Sequence, residues 1–218
     1  MVWLDYTNGN KSWQDQVNWA ASLDGSLTYK MNPVYDVHWG TNVWRLPSTV
    51  NGSFVLGYNG TTTAGYNITS SEMGHLFYTE LGNKGYINID GSTNPPPSTP
   101  NIFLTSVGDF DHLTDWSYSG WYWSGTDYNL NYAWLFHMKT GRQDLYNKPY
   151  NTSFGEYGAH GLAVRSGQVT YRASNGGGAS PVPEPATMLL LGTGLAGLAG
   201  GCLRHRRAGL TWRHLRQG

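Results

Sequence analysis

The stretch WYWSGTDYNLNYAWLFHM, residues 121–138, indicates the fold more clearly than any other part of the chain. It contains two runs of aromatic and aliphatic residues, 121–126 and 133–138, separated by Asp and Asn residues that favour turns. A third, weaker run covers 161–165. Short runs bounded by turn residues are typical of β-strands, so the second half of the chain is predicted to form an antiparallel sheet.

A helix is predicted near the N-terminus. Ser12 is a suitable N-cap, and Asp15 follows three residues later in a position close to that of a capping box. Trp13, Val17 and then Ala20 or Ala21 recur at helical spacing. We therefore expect these side chains to form the buried face of the helix.

A second helix is predicted to begin at a capping box, with Thr69 as the N-cap and Glu72 as its acidic partner. Apolar residues follow at helical spacing, and Gly82 stands where such a helix would end. Two early helices packed on a later antiparallel sheet predict an α+β domain, which we place at residues 1–173.

The charges of the chain are segregated. Of 218 residues, 14 are Lys or Arg and 14 are Asp or Glu, but five of the arginines follow residue 184 and no acid does. Residues 1–185 therefore hold 9 basic against 14 acidic side chains, a net charge of −5. This acidic domain argues against nucleic acid as a partner. Cys202 is the sole cysteine, which excludes disulfides and thiol chemistry within residues 1–201.

The C-terminal segment has the pattern of a membrane anchor. A linker rich in Gly and Ser covers residues 174–181, and residues 186–203 contain no charged side chain. As a helix, those 18 residues would span about 27 Å, close to the hydrocarbon thickness of a bilayer. The arginine cluster at 204–207 follows directly and is expected to remain cytoplasmic.

The anchor and its flanks resemble the PEP-CTERM sorting signal of Gram-negative bacteria, over residues 182–207. The matching residues, in order, are Val182, Pro183, Glu184, Pro185, Arg204, Arg206 and Arg207. The resemblance implies export, recognition by a membrane exosortase, and release or attachment at the cell surface. It also implies a link to exopolysaccharide and biofilm. The basic tail at 208–218 is longer than is usual for this signal.

An exported protein is expected to begin with a signal peptide. Residues 1–6 have no basic n-region and no apolar h-region. We therefore expect the natural protein to have a longer N-terminus than this sequence.

Residues 3–167 resemble the C-terminal domain of the Legionella collagen-like protein and its bacterial relatives. The motifs that carry this resemblance are WLDY at 3–6, Trp13, WAA at 19–21, WRLP at 44–47, SSEMGHL at 70–76, YWSGT at 122–126, Ala133, Trp134, Phe136, Gly141 and AVR at 163–165. The resemblance implies a C-type-lectin-like fold related to that of the formylglycine-generating (sulfatase-modifying) enzymes. It further implies a surface or secreted module, and the founding member is associated with sulfated polysaccharide.

Aromatic side chains are the best candidates for ligand binding. Eight of them occur in 19 residues: Trp116, Tyr118, Trp121, Tyr122, Trp123, Tyr128, Tyr132 and Trp134. Strand alternation sends Trp121 and Trp123 to one face and Tyr122 to the other. Any single ring is more simply a core residue, but the cluster as a whole suits stacking on sugars. Lys139 and Arg142 could add cationic contacts to acidic sugars.

Evidence for a metal site is weaker. Asp109, Asp111 and Asp115 offer oxygen ligands of the kind that Ca²⁺ prefers, but the spacing is not that of an EF-hand, and a solvated loop is the simpler interpretation. Glu72 and His75 have the spacing of di-iron helices, although the companion motifs of such sites are missing. No other cofactor is indicated.

The sequence points to no catalytic residue. Ser124 lacks a nucleophile-elbow motif, and no motif selects a pair of carboxylates for glycoside hydrolysis. The prediction is an exported, non-enzymatic module that binds polysaccharide. Two alternatives stay open: an envelope hydrolase with unidentified carboxylates, and a structural or adhesive module that binds proteins.

Overall fold

The computed structural model of the chain describes residues 1–28, 35–96, 103–108, 110, 113, 120–149 and 159–171. The chain divides into two compact units. Of the described residues, the larger unit contains those within Trp3–Leu27 and Val43–Val164, and the smaller contains 1–2, 28, 35–42 and 165–171. Each is described by itself.

Two helices and eleven strands lie in the described residues. The helices are α1 (Trp13–Ser26) and α2 (Glu72–His75), and α2 continues into a π-helical turn over Leu76–Glu80. The strands are β1 (Val2–Trp3), β2 (Asn8–Lys11), β3 (Tyr35–Trp39), β4 (Leu56–Gly57), β5 (Ala64–Gly65), β6 (Trp121–Asp127), β7 (Tyr132–His137), β8 (Arg142–Asn147), β9 (Ala159–Gly161), β10 (Val164–Arg165) and β11 (Gly167–Tyr171). This mixed α+β content agrees with the predicted class, although α2 is short.

A seven-stranded sheet dominates the larger unit, in the order β2-β9-β6-β7-β8-β5-β4. The consecutive strands β6, β7 and β8 pair antiparallel, as the sequence predicted. The prediction of a wholly antiparallel sheet is wrong, because β9 pairs parallel with β6, and β4 with β5. Hairpin loops force antiparallel neighbours, whereas a long connection such as that from β6 to β9 permits a parallel return.

Helix α1 begins where the sequence predicted. The Ser12 side chain accepts a hydrogen bond from the backbone N–H of Asp15. The buried residues of α1 are Gln16, Ala20 and Leu23. Ala20 is buried as predicted, whereas Trp13 and Val17 are only half-buried and Ala21 is exposed. Gln16 is polar and fully buried because its amide is satisfied: it accepts from Asn8 and donates to the carbonyl of Gly9, which joins α1 to β2.

The N-cap of α2 is Ser71 rather than Thr69. The Ser71 hydroxyl accepts from the backbone N–H of Gly74, and Glu72 is the first helical residue. The reason is that Glu72 is engaged elsewhere, in a bidentate ion pair with Arg45. Gly82 ends the helical segment with a φ of +65°, a left-handed conformation that glycine adopts readily.

A hydrophobic core packs against one face of the sheet. It is formed by buried residues of α2, the π-helical turn, the central strands and the loops, among them Met73, Leu76, Phe77, Phe103, Tyr122, Phe136 and Met138. In the smaller unit, β3 and β11 form a two-stranded antiparallel ribbon, and the Arg165 guanidinium lies 4.9 Å from the centroid of the Trp39 ring.

No helix in the described part of the chain combines the length and the apolar character needed to cross a bilayer. Residues 186–203, which the sequence predicts as the anchor, lie outside the described residues.

Candidate functional site

Several predicted site residues lie outside the described ranges. They are Trp116 and Tyr118 of the aromatic cluster, Asp109, Asp111 and Asp115 of the calcium hypothesis, and Val182, Pro183, Glu184, Pro185, Arg204, Arg206 and Arg207 of the sorting signal. The structure says nothing about them, so the calcium site stays a prediction.

Two of the predicted ligand-binding rings belong to the core. The exposed fraction of Tyr122 is 1% and that of Trp123 is 0%. The indole N–H of Trp123 donates to the carbonyl of Lys11, and the Tyr122 hydroxyl lies 3.2 Å from the Thr7 hydroxyl. These rings are covered by what packs on the two faces of the sheet: Tyr122 lies in the hydrophobic core, and Trp123 lies against the end of β2. Neither offers a face to a ligand in this structure, which corrects their assignment as binding residues.

Trp121 lies in a different environment, at the start of β6. It is registered opposite His137 on β7, and His137 is registered opposite Arg142 on β8. Residues registered directly opposite each other share a face of the sheet, so the three side chains form one row across neighbouring strands. All three are partly exposed. We call this the outer row; it spans about 10 Å, or two strand spacings.

The aromatic members of the outer row are in contact. The centroids of the Trp121 and His137 rings are 4.4 Å apart with an interplanar angle of 31°. His137 Nδ1 also lies 2.6 Å from the Thr140 hydroxyl, in the turn between β7 and β8. The two rings therefore form an ordered aromatic unit at one end of the sheet. No local sequence signal marks His137 for this role, because its place beside Trp121 depends on the register of β6 and β7.

Arg142 is ion-paired with Asp144. Its Nη2 lies 2.5 Å from Asp144 Oδ2, and the exposed fractions of the two side chains are 39% and 21%. Tyr66, which follows β5, lies beside them. Burial raises the pKa of Tyr66, and the nearby Arg142 guanidinium opposes that rise. Tyr66, Arg142 and Asp144 thus form a polar cluster next to the aromatic rings.

The turn that presents Arg142 is held from the opposite side of the sheet. Gly141 has a φ of +76°, and a Cβ at this position would collide with the Tyr78 hydroxyl. That hydroxyl donates to the carbonyl of Gly141 over 2.7 Å and accepts from the backbone N–H of Asn67 over 3.0 Å. Tyr78 therefore anchors the backbone immediately before Arg142.

The remaining candidates do not join the outer row. Tyr128 packs edge-on against Trp134, with ring centroids 5.7 Å apart, and Trp134 points to the face opposite His137 because the two differ by three positions on β7. The alkyl stem of Lys139 lies over Gly120, where an added Cβ would be 2.8 Å from Lys139 Cγ. The structure thus brings together Trp121 and Arg142 from the predicted set, and adds His137, Asp144 and Tyr66.

Glu72 forms a structural ion pair with Arg45. Its two carboxylate oxygens accept from Arg45, each over 2.7 Å, and the backbone N–H of Ser48 donates to the same group. Burial alone would raise the pKa of Glu72, but the hydrogen bonds from Arg45 and Ser48 outweigh it and lower the pKa. His75 faces Glu80 at 3.6 Å. Among the described residues, no group of three His, Cys, Asp or Glu side chains is arranged to hold a metal ion.

The prediction of a PEP-CTERM sorting signal is confirmed by comparison with known sequence families. Residues 181–207 match the PEP-CTERM protein-sorting motif. The chain is therefore an exported protein with a C-terminal sorting signal that an exosortase recognises at the membrane, and it is membrane-anchored before processing. No curated protein and no solved structure matches the chain. The lectin-like resemblance of residues 3–167 therefore has no support from the comparisons.

Proposed function

We propose that this exosortase-sorted protein binds extracellular carbohydrate without catalysis, through the outer row of its large sheet. The observation that carries the proposal is the register of β6, β7 and β8, which sets Trp121, His137 and Arg142 side by side. Sorting by an exosortase places the domain outside the cytoplasm, where polysaccharide is an available ligand.

The chemistry of the row suits a sugar. A sugar ring has an apolar face of C–H groups and a rim of hydroxyls, so it binds where an aromatic surface adjoins polar groups. The Trp121 and His137 rings, which are in contact, supply the aromatic surface, and Arg142 with Asp144 supplies the polar groups. Because the rings belong to regular strands, they are ordered before the ligand arrives and lose little entropy on binding.

Binding is a better account of this site than hydrolysis. Most glycosidases use two carboxyl groups that flank the scissile bond. In the polar cluster the carboxylate of Asp144 is paired with a guanidinium, not with a second carboxylate. The paired Arg142 and Asp144 side chains can bind the hydroxyl groups of a sugar, but they do not supply the two carboxyl groups that glycoside hydrolysis needs.

The experiment uses the full-length chain solubilised in detergent and affinity electrophoresis in gels that contain a polysaccharide. The panel consists of dextran, soluble starch and hydroxyethyl cellulose as uncharged polymers, and alginate, hyaluronan and heparin as acidic ones. We expect at least one polymer to retard the wild type. Trp121→Ala is expected to lose at least about fivefold in affinity, since burying an aromatic face against a ligand contributes on the order of 1–3 kcal/mol.

The matched control is Tyr132→Ala. Tyr132 is another exposed aromatic residue, 42% accessible, but it lies on the opposite face from His137. If Tyr132→Ala and Trp121→Ala weaken retardation equally, or if neither does, the outer row is not the binding site. Release of reducing ends from any polymer would instead favour the hydrolase alternative.

A further inference from the structure

The charge of Arg142 is compensated within its own strand. Arg142 and Asp144 are two residues apart on β8, so their side chains leave the same face of the sheet, where they form the ion pair described above. The pair as a whole carries no net charge. Arg142 is thus not the free cationic contact that its place in the sequence suggested.

The surroundings do not restore a positive field. The larger unit contains six Lys and Arg side chains against twelve Asp and Glu, a formal net charge of −6. The stem of Lys139, the other predicted cationic contact, is directed along Gly120. A polyanion approaching the outer row therefore meets a neutral pair on an acidic domain, which disfavours its association.

A paired guanidinium and carboxylate still recognise hydroxyl groups. Arg142 has five N–H donors, of which Asp144 uses only some, and the Asp144 carboxylate has lone pairs beyond the one that accepts from Arg142. A sugar hydroxyl both donates and accepts, so neighbouring hydroxyls can satisfy both members of the pair at once. A carboxylate or sulfate substituent only accepts, and it would be repelled by Asp144.

We infer that the outer row binds uncharged sugars and rejects acidic ones, with Asp144 as the residue that sets this selectivity. The inference rests on the proposed function and narrows its ligand class. It predicts that removing the charge of Asp144 converts the site into one that accepts acidic polymers, because Arg142 then becomes an uncompensated cation next to an aromatic platform.

The test compares Asp144→Asn with Asp127→Asn in the same full-length chain. Asp127 lies at the far end of β6, about 20 Å along the strand from Trp121, and is paired with Lys148 over 2.6 Å. Both variants raise the net charge by one and each breaks one ion pair. Only Asp144→Asn removes the partner of a side chain in the outer row, because Asp144 is paired with Arg142.

Wild-type protein is expected to bind an uncharged polymer of the panel more tightly than alginate, hyaluronan or heparin. Its affinity for the uncharged polymer should not change through a sodium chloride series, since no net charge is neutralised. In Asp144→Asn, affinity for the acidic polymers should rise about fivefold at low salt and fall again as salt is added, while Asp127→Asn should behave as wild type.

The possible results distinguish failure of the selectivity inference from failure of the proposed carbohydrate-binding function. Preference of the wild type for an acidic polymer, or an equal gain in the two Asn variants, overturns the inference and leaves the proposed function standing. Absence of retardation by every polymer, with the protein shown to be folded by circular dichroism, overturns the proposed function itself. If Asp144→Asn does not fold, the salt series on the wild type alone decides, because salt-sensitive binding would contradict the inference.

Discussion

Two rows of side chains cross the same three strands on the same face of the sheet, yet they differ in burial. The outer row is Trp121, His137 and Arg142; in the next row inward Trp123 and Leu135 are buried, and only Asp144 is partly exposed, where it pairs with Arg142. Trp121 is partly exposed, whereas the indole of Trp123, one pleat further along β6, is completely buried.

The comparison of the two tryptophans shows that residue type does not determine whether a side chain is buried. Both are tryptophan, on one strand and one face. What differs is whether another element covers the position: the indole N–H of Trp123 reaches the carbonyl of Lys11, at the end of β2. A position near the end of a sheet has fewer covering elements, and its side chains stay available to a ligand.

The largest expected effect comes from removing the buried indole of the inner row. Trp123→Ala removes a fully buried indole and should lower the free energy of unfolding by about 3–5 kcal/mol. Trp121→Ala should lower it by only about 1–2 kcal/mol, chiefly through the lost contact with His137. Urea denaturation followed by circular dichroism measures both. Equal losses in the two variants would contradict the distinction between the rows.

The ion pair between Arg45 and Glu72 should have the next largest effect. Glu72→Gln removes the charge from both hydrogen bonds with Arg45 and is expected to cost about 1–3 kcal/mol at neutral pH. Because the folded-state pKa of Glu72 lies below its ordinary value of 4.5, its contribution is fully present above that pH. It is lost as the pH falls through the lower, folded-state pKa.

The pH dependence provides the check on that prediction. The stability difference between wild type and Glu72→Gln should shrink steadily as urea denaturation is repeated at decreasing pH below 4.5. Glu80→Gln, which alters the more exposed carboxylate facing His75 at 3.6 Å, is the matched control and should be almost neutral. A difference that does not change with pH would show that the charge of Glu72 is not what stabilises the fold.

A smaller effect than those of Trp123→Ala and Glu72→Gln is expected for Tyr78→Phe, which tests the turn that positions the outer row. The variant deletes the hydroxyl that donates to Gly141 and accepts from Asn67, at a cost of about 1–2 kcal/mol. Since Gly141 precedes Arg142, amide hydrogen exchange should accelerate in the turn between β7 and β8 and not at the middle of β6. Uniform acceleration over the whole sheet would refute a local role.

The local elements of this protein were predictable from sequence because their signals are local. Ser12 caps α1 as its spacing with Asp15 predicted, and β6 and β7 lie on the two aromatic runs. The sorting signal was equally accessible, since a proline pair, an apolar span and an arginine cluster act as a linear motif.

The candidate site was only partly predictable. Residue type alone predicts Trp121 and Arg142 as binding residues, together with Tyr122 and Trp123, which the structure buries. The polar cluster has one local signal: Arg142 and Asp144 are two apart in a strand, and such residues share a face. The part played by His137 had no local signal, because it depends on the register of β6, β7 and β8.

By itself, then, the sequence determined the α+β class, the start of α1, the central strands and the export signal, all of which depend on residues close together in the chain. Only the tertiary structure decided that β9 returns parallel beside β6, that Ser71 rather than Thr69 caps α2, and that Trp123 is covered while Trp121 is not. The physical reason is that burial, strand register and ion pairing are properties of neighbours in space, and those neighbours come from distant parts of the chain.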